Sequence, residues 1–138
     1  MKTIVSDYAP PKRILYVEEN DDSRQMLAIT LENAGYAVST ADSIANGLSV
    51  TRRERFDLYI LETSYSDGSG LNLCRQIRAD DPFIPIIFYS SQAYPSDIKA
   101  GMAAGAQDYL VQPMGIYSIT KTIAGLLTSP AVVSQSNH

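Results

Sequence analysis

Three glutamates directly follow short apolar runs of the sequence. Glu18 and Glu19 come after residues 13–17, and Glu62 comes after residues 57–61. Carboxylate oxygens are ligands that suit magnesium and calcium, whereas carboxylates held close together raise the pKa of at least one of them. Three arrangements remain open: a weakly held divalent ion on Glu19 and Glu62, one protonated carboxyl group, or one glutamate turned into solvent. We favour the third, because a long glutamate side chain can turn outward easily.

Polar side chains also follow two later apolar runs. Ser90 comes after residues 84–89, and Gln112 comes after residues 108–111. Doubly wound parallel sheets bind ligands beyond the carboxyl ends of their strands. We therefore expect the three glutamates, Ser90 and Gln112 to meet at one edge of such a sheet.

These apolar runs alternate with stretches of helical spacing between residues 12 and 128, and a fifth strand-like run covers residues 36–40. The first helix is expected to begin near Asp22 or Ser23, either of which can cap it, and to end at Gly35. The others are expected at residues 43–53, after the turn at 67–70, at 96–104 and at 116–126. This alternation predicts an α/β domain whose parallel sheet is covered on both faces.

Composition argues against several classes of function. Fifteen acidic against eleven basic residues do not favour a nucleic-acid-binding protein. Cys74 is the only cysteine and His138 the only histidine. An internal disulfide, a zinc site and a histidine-based catalytic triad are therefore not expected. Cys74 falls among apolar residues of the third helix, which predicts a core position.

The apolar runs are far shorter than the about 20 residues that span a bilayer, and the first twelve residues lack a signal-peptide pattern. We therefore expect a cytoplasmic protein with no membrane partner. Residues 1–11 read as a lead-in segment, residues 12–128 as one domain, and residues 129–138 as a flexible tail. No output domain is recognised, so output is expected to pass through another protein.

The chain resembles the receiver domain of two-component response regulators over about residues 12–128. The resemblance implies a flavodoxin-like fold of three α/β/α layers, with a doubly wound five-stranded parallel sheet in the order 2-1-3-4-5. Four segments in matching order and spacing carry it: ILYVEEN at residues 14–20, FDLYILETSYSDGSGLNL at 56–73, IPIIFYSS at 84–91 and GAQDYLVQP at 105–113.

The same resemblance implies roles for individual residues. In the family, two acidic residues hold magnesium, an aspartate accepts the phosphoryl group and a lysine offsets its charge. A hydroxyl and an aromatic residue then move inward and alter the face formed by the fourth helix, fifth strand and fifth helix. The corresponding positions here are Glu18 and Glu19 for the acidic pair, Glu62 for the phosphoacceptor, Ser90 and Tyr109 for the two switch residues, and Gln112 for the lysine.

Two departures from this pattern argue against phosphorylation. Glu62 is longer than aspartate, which displaces its carboxylate by about 1 Å, an offset that can defeat in-line attack. Gln112 can form hydrogen bonds but cannot neutralise charge. Ser66 also stands where the family usually has proline. We expect a receiver-like module of a phosphorelay pathway that is not an enzyme, has no catalytic residue, requires no cofactor beyond a weak Mg²⁺ and acts through protein–protein contacts.

Several alternatives remain open. The chain could be an ordinary phosphate-accepting response regulator, or a flavodoxin-like ligand-binding protein or small enzyme. Glu62 could imitate the activated state, or the domain could be a rigid scaffold, which we favour. Expected partners are a histidine kinase, a phosphotransfer protein or an output protein, together with a homodimer through the face named above. Tyr65, Tyr94 and Tyr117 are candidates for a partner surface, because tyrosine is common at interfaces.

Overall fold

A computed structural model describes residues 9–128 as one α/β unit. Most of the lead-in segment and the whole predicted tail lie outside these residues. The elements in chain order are β1 (Arg13–Val17), α1 (Asp21–Asn33), β2 (Ala37–Ala41), α2 (Ile44–Arg53), β3 (Leu58–Leu61), β4 (Ser64–Tyr65), β5 (Gly68–Ser69), α3 (Gly70–Asp80), β6 (Ile86–Ser90), α4 (Pro95–Ala103), β7 (Asp108–Val111) and α5 (Ile116–Thr128).

Five strands form one sheet in the order β2-β1-β3-β6-β7, and every pair in it is parallel. Counted along the sheet's own strands, this is the predicted order 2-1-3-4-5, and the predicted fold class is confirmed. The two-residue strands β4 and β5 form a separate antiparallel pair between β3 and α3, which the sequence analysis did not predict.

Apolar side chains on both faces of the sheet explain why its strands read as nearly continuous apolar runs. Successive residues of a strand point to opposite faces, so Leu15 packs on one face and Tyr16 on the other. The face of Leu15 is covered by α2, α3 and α4, and the face of Tyr16 by α1 and α5. Cys74 of α3 is fully buried, as predicted.

Several predicted boundaries shift by one or two residues. The helix α1 begins at Asp21, because the side chain of Asn20 accepts a hydrogen bond from the Ser23 amide at 2.8 Å. The prediction of a cap at Asp22 or Ser23 was therefore wrong. Gly35 follows the end of this helix with a φ of 104°, a conformation that glycine adopts without strain. Within residues 9–128, no helix is both long and apolar enough to cross a membrane.

Gly70 lets the start of α3 lie directly against the end of β3. A Cβ atom added at Gly70 would collide with the carbonyl oxygen of Glu62, and it would lie 2.9 Å from the carbonyl carbon of that residue. Glycine is the residue that permits this approach. The backbone that carries Glu62 is thus packed against the first turn of a helix.

Replacing Gly70 by alanine is expected to destabilise the protein by about 3 kcal/mol, the upper end of the usual cost of overpacking. Urea unfolding followed by circular dichroism measures this change. Gly125→Ala is the matched control, since a Cβ atom there has nothing within 4 Å. In the interior of α5 that substitution should stabilise by about 0.5–1 kcal/mol. Equal shifts for the two variants would contradict the close packing at Gly70.

Candidate functional site

Glu18, Glu19 and Glu62, here called the acidic rim, lie at the carboxyl ends of two neighbouring strands. The strands β1 and β3 pair in parallel, so the residues that follow them emerge at the same edge of the sheet. The rim lines an open cavity of about 400 Å³ together with Asn20, Ser64, Ser91 and Gln92. The structure therefore brings the three glutamates together at one edge of the sheet, as expected from the sequence.

Glu18 is the buried member of the acidic rim, with 8% of its surface exposed. Its Oε2 atom accepts a hydrogen bond from the Asn20 amide at 3.0 Å, and Oε1 has a long contact of 3.4 Å with the Tyr16 hydroxyl. Burial raises the pKa of Tyr16 most, and the negative charge of Glu18 raises it further. The tyrosine therefore stays protonated and remains a donor to this carboxylate.

Glu19 is exposed, yet its carboxylate is bound within the protein. The Ser66 amide donates to Oε1 at 2.8 Å, and the Ser66 hydroxyl donates to Oε2. The sequence favours one glutamate turned into solvent; Glu19 is the exposed one, but its carboxylate is held by Ser66. The reason is that the loop after β3 brings two donors to the one rim glutamate that reaches solvent.

Glu62 is half-buried, and its Oε2 atom accepts a hydrogen bond from the Thr63 amide at 3.0 Å. Burial raises the pKa of this carboxyl group above its ordinary value of 4.5. Hydrogen bonding by Ser90 and Thr63 offsets part of the rise, whereas the negative charge of Glu18 adds to it. Glu62 therefore binds a proton more readily in the rim than a glutamate side chain does in water.

Ser90 and Tyr109 are both held inside the protein. The Ser90 hydroxyl is fully buried, lies 3.2 Å from the Thr63 hydroxyl and accepts a hydrogen bond from the Gln92 amide. The Tyr109 hydroxyl donates to the carbonyl of Gln92 at 2.6 Å. Gly101 of α4 makes room for the tyrosine ring, because a Cβ atom there would lie 2.8 Å from its Cδ2 atom.

Gln112 follows β7 at the same edge of the sheet, and its backbone amide donates to the carbonyl of Ser90 at 2.8 Å, but it does not line the cavity of the acidic rim. Its side-chain amide donates to the carbonyl of Tyr89 at 2.9 Å. Gln112 instead lines a different cavity of about 520 Å³, to which α1 and α5 contribute Met26 and Ile116 among others. An amide with a free backbone carbonyl beside it is satisfied there, so it gains little from turning toward the carboxylates.

Arg24, which was not among the predicted site residues, places a cation against the backbone of the rim. Its guanidinium donates to the carbonyl of Glu18 at 2.8 Å and to the carbonyl of Glu19 at 3.3 Å, and it pairs with Asp21. The available signal was an arginine four residues after the helix cap Asn20. It went unnoticed because the family pattern directs attention to a lysine at the end of the last strand.

Tyr65 is a structural residue, and its predicted place in a partner surface was wrong. Its hydroxyl accepts a hydrogen bond from the Glu62 amide at 2.7 Å and donates to the carbonyl of Val17 at 2.9 Å. It therefore bridges the ends of β1 and β3 from within the core. Tyr94 and Tyr117, by contrast, are each 75% exposed.

The predicted metal ligands Glu19 and Glu62 lack a third partner. Across residues 9–128, no three side chains of histidine, cysteine, aspartate or glutamate are grouped so that they could hold a metal ion. All three carboxylates of the rim instead accept hydrogen bonds from protein donors.

Replacing Glu62 by glutamine tests the electrostatics of the rim. A carboxyl group whose pKa is raised by folding stabilises the protein below its ordinary pKa of 4.5, and this stability is lost as pH rises through the raised value. Glu62→Gln, which resembles the protonated acid, should therefore be more stable than the natural protein at neutral pH. The difference should shrink as pH falls to 4.5.

Thermal unfolding across this pH range measures the effect. Glu32→Gln is the control, since it makes the same charge change at an exposed position of α1. A Glu62→Gln variant that is less stable than the natural protein at neutral pH would contradict the raised pKa.

Comparison with known proteins identifies the family. Residues 14–124 match the model of the response regulator receiver domain. A probable transcriptional regulatory protein of Picosynechococcus is 33% identical over 91% of this chain and 53% of its own length. The transcriptional regulatory protein CseB of Streptomyces coelicolor is 34% identical over 76% of this chain and 44% of its own length. The chain thus spans about half the length of these relatives.

Solved structures agree with the sequence relatives. The chemotaxis response regulator CheY4 of Vibrio cholerae is 28% identical, with a TM-score of 0.78 over 84% of this chain and 98% of its own. A two-component response regulator of Clostridium difficile is 25% identical, with a TM-score of 0.82 over 86% of this chain and 97% of its own. With its fold, the order of its strands and most of its length in common with them, the chain belongs to the response regulator receiver domain family.

Proposed function

We propose that this chain is a receiver-like module of a cytoplasmic two-component or phosphorelay pathway that does not accept a phosphoryl group. It acts instead by binding other signalling proteins, and it is not an enzyme. The observation that carries the proposal is the position of Gln112. Its amide is bound to the carbonyl of Tyr89, so nothing at the family's lysine position offsets charge at the acidic rim.

The chemistry of phosphoryl transfer explains why this matters. The protein contributes to that reaction almost entirely by positioning the groups and stabilising charge. Glu62 would present its carboxylate about 1 Å away from the place of an aspartate carboxylate, an offset of the size that impairs in-line attack.

Receiver domains in general bind Mg²⁺ at the phosphorylation site, and the residues here do not fit that ion. Magnesium prefers near-octahedral oxygen ligands and gives up its waters reluctantly. Both oxygens of Glu19 accept hydrogen bonds from Ser66, and Glu18 accepts one from Asn20. We therefore assign no magnesium-dependent step to this chain.

The buried switch positions support a module with one fixed surface. Tyr109 packs beside Phe88 with ring centroids 5.9 Å apart, and its hydroxyl is bound to Gln92. The hydroxyl of Ser90 is bound to Thr63 and Gln92. These contacts need no phosphoryl group, which favours a scaffold whose binding face is independent of phosphorylation.

Incubation with magnesium and acetyl phosphate, followed by intact mass measurement, tests the proposal. The natural chain should show no phosphoryl adduct, because Glu62 and Gln112 stand at the positions that we assign to the family's aspartate and lysine. Glu62→Asp/Gln112→Lys is the matched variant run alongside it. A stable adduct on the natural chain would contradict the proposal and favour the alternative, an ordinary phosphate-accepting response regulator.

The binding face is proposed to include α4, β7 and α5. Exposed apolar side chains occur at the cap of α4, within it and at the start of α5: Tyr94, Met102, Ile116 and Tyr117. Tyrosine and methionine are enriched in protein interfaces. A histidine kinase, a phosphotransfer protein, an output protein or a second copy of this chain would bind here, with no nucleic acid contacted directly.

Sedimentation velocity at several protein concentrations tests whether a second copy of the chain binds at this face. We expect self-association that Tyr117→Ala weakens about tenfold, the factor of an ordinary interface contact worth more than 1 kcal/mol. Met26→Ala is the control, because Met26 is 70% exposed but lies on α1. A natural chain that remains monomeric at every concentration would exclude the homodimer.

A further inference from the structure

The contact between Glu19 and Ser66 joins segments that lie 47 residues apart in the chain. The Ser66 amide donates to one oxygen of the Glu19 carboxylate at 2.8 Å, and the Ser66 hydroxyl donates to the other. Proline, which the family usually has at this position, has neither a backbone N–H nor a hydroxyl. The contact therefore depends on the serine in this chain.

The residues on either side of Ser66 bind the same loop to other elements. Tyr65 donates from its hydroxyl to a carbonyl of β1 at 2.9 Å. The carboxylate of Asp67 accepts hydrogen bonds from the amides of Ile44 and Ala45, each at 3.1 Å. These amides open α2, and their hydrogen bonds lower the pKa of Asp67. Three consecutive residues thus hold the loop between β3 and α3 in place.

We propose that Ser66 engages Glu19 in place of a divalent cation, so that the loop between β3 and α3 is ordered without metal. A metal ion at the rim would compete with the two Ser66 donors for the carboxylate oxygens of Glu19. It would also compete with the Asn20 amide for Glu18. The inference rests on the proposed function, because a chain that accepted phosphate would need the ion with which this contact competes.

Amide hydrogen exchange of Ser66, followed by NMR, tests whether the contact with Glu19 orders the loop without metal. The natural protein should show a protected Ser66 amide, with the same exchange rate in EDTA and in magnesium chloride. Glu19→Ala should accelerate exchange about tenfold, the factor of one net hydrogen bond. Glu32→Ala, an exposed charge removal on α1, should leave the rate unchanged.

Either of two results would overturn the claim that the contact orders the loop without metal. One is an unchanged Ser66 exchange rate in the Glu19→Ala variant, and the other is protection that requires magnesium in the natural protein.

A titration with Mn²⁺, read from paramagnetic broadening of backbone amides, tests whether Ser66 competes with a metal ion for Glu19. Ser66→Pro removes both donors and should free Glu19. Broadening around Glu18 and Glu62 should then saturate at a Mn²⁺ concentration about tenfold lower than the natural protein requires. Ser66→Ala keeps the amide donor, so it should show a smaller gain, and it serves if the proline variant fails to fold. Adding Glu19→Ala to either variant should abolish the gain.

Titration curves that coincide for the natural protein and both Ser66 variants would overturn the proposal. Intact mass after treatment with acetyl phosphate, measured on the same samples, separates this inference from the proposed function. A phosphoryl adduct together with metal-independent protection of Ser66 would refute the function alone. Absence of an adduct together with metal-dependent protection would refute the role of Ser66 alone.

Discussion

The acidic rim is the constraint on which the site depends. Parallel pairing of β1 with β3 brings Glu18, Glu19 and Glu62 to one edge of the sheet, and like charges that share an edge are unfavourable unless each is compensated. Each carboxylate has its own protein donors, and burial also raises the pKa of Glu62. The loops after β1 and β3 supply the hydrogen bonds that compensate these charges in place of a metal ion and a lysine.

The loop between β3 and α3 supplies the donors to Glu19 and Glu62, and it does so through packing as much as through charge. Tyr65 ties the end of β3 to β1 from within the core, and the glycine at position 70 lets α3 begin against the carbonyl of Glu62. With the loop fixed on both sides, Ser66 presents its two donors where Glu19 can accept them. The hydrogen bonds of the rim are thus a consequence of how the backbone is packed.

Apolar periodicity was sufficient to predict a parallel sheet covered on both faces, because it is a property of the whole chain, and the resemblance to the receiver family implied the strand order. Both β1 and β7 occupy the residues expected of them, and the glutamates meet where parallel strands end. The side-chain pairings were not predictable in the same way. Tyr65 was expected at a partner surface, and Gln112 was expected beside the glutamates. Position in the sequence determines where the backbone leaves a strand. It does not determine which donor or acceptor a polar side chain binds.

The residues that we propose as departures from the family pattern act together. Gln112 binds the carbonyl of Tyr89, and Ser66 binds Glu19, so each replacement has acquired a specific partner. Gly101 similarly accommodates the inward ring of Tyr109. A site that had merely lost its chemistry would be expected to leave polar groups unpaired, yet among residues 9–128 no buried side-chain nitrogen or oxygen lacks a hydrogen-bond partner. This completeness favours a receiver domain whose surface is kept in one arrangement by its own hydrogen bonds.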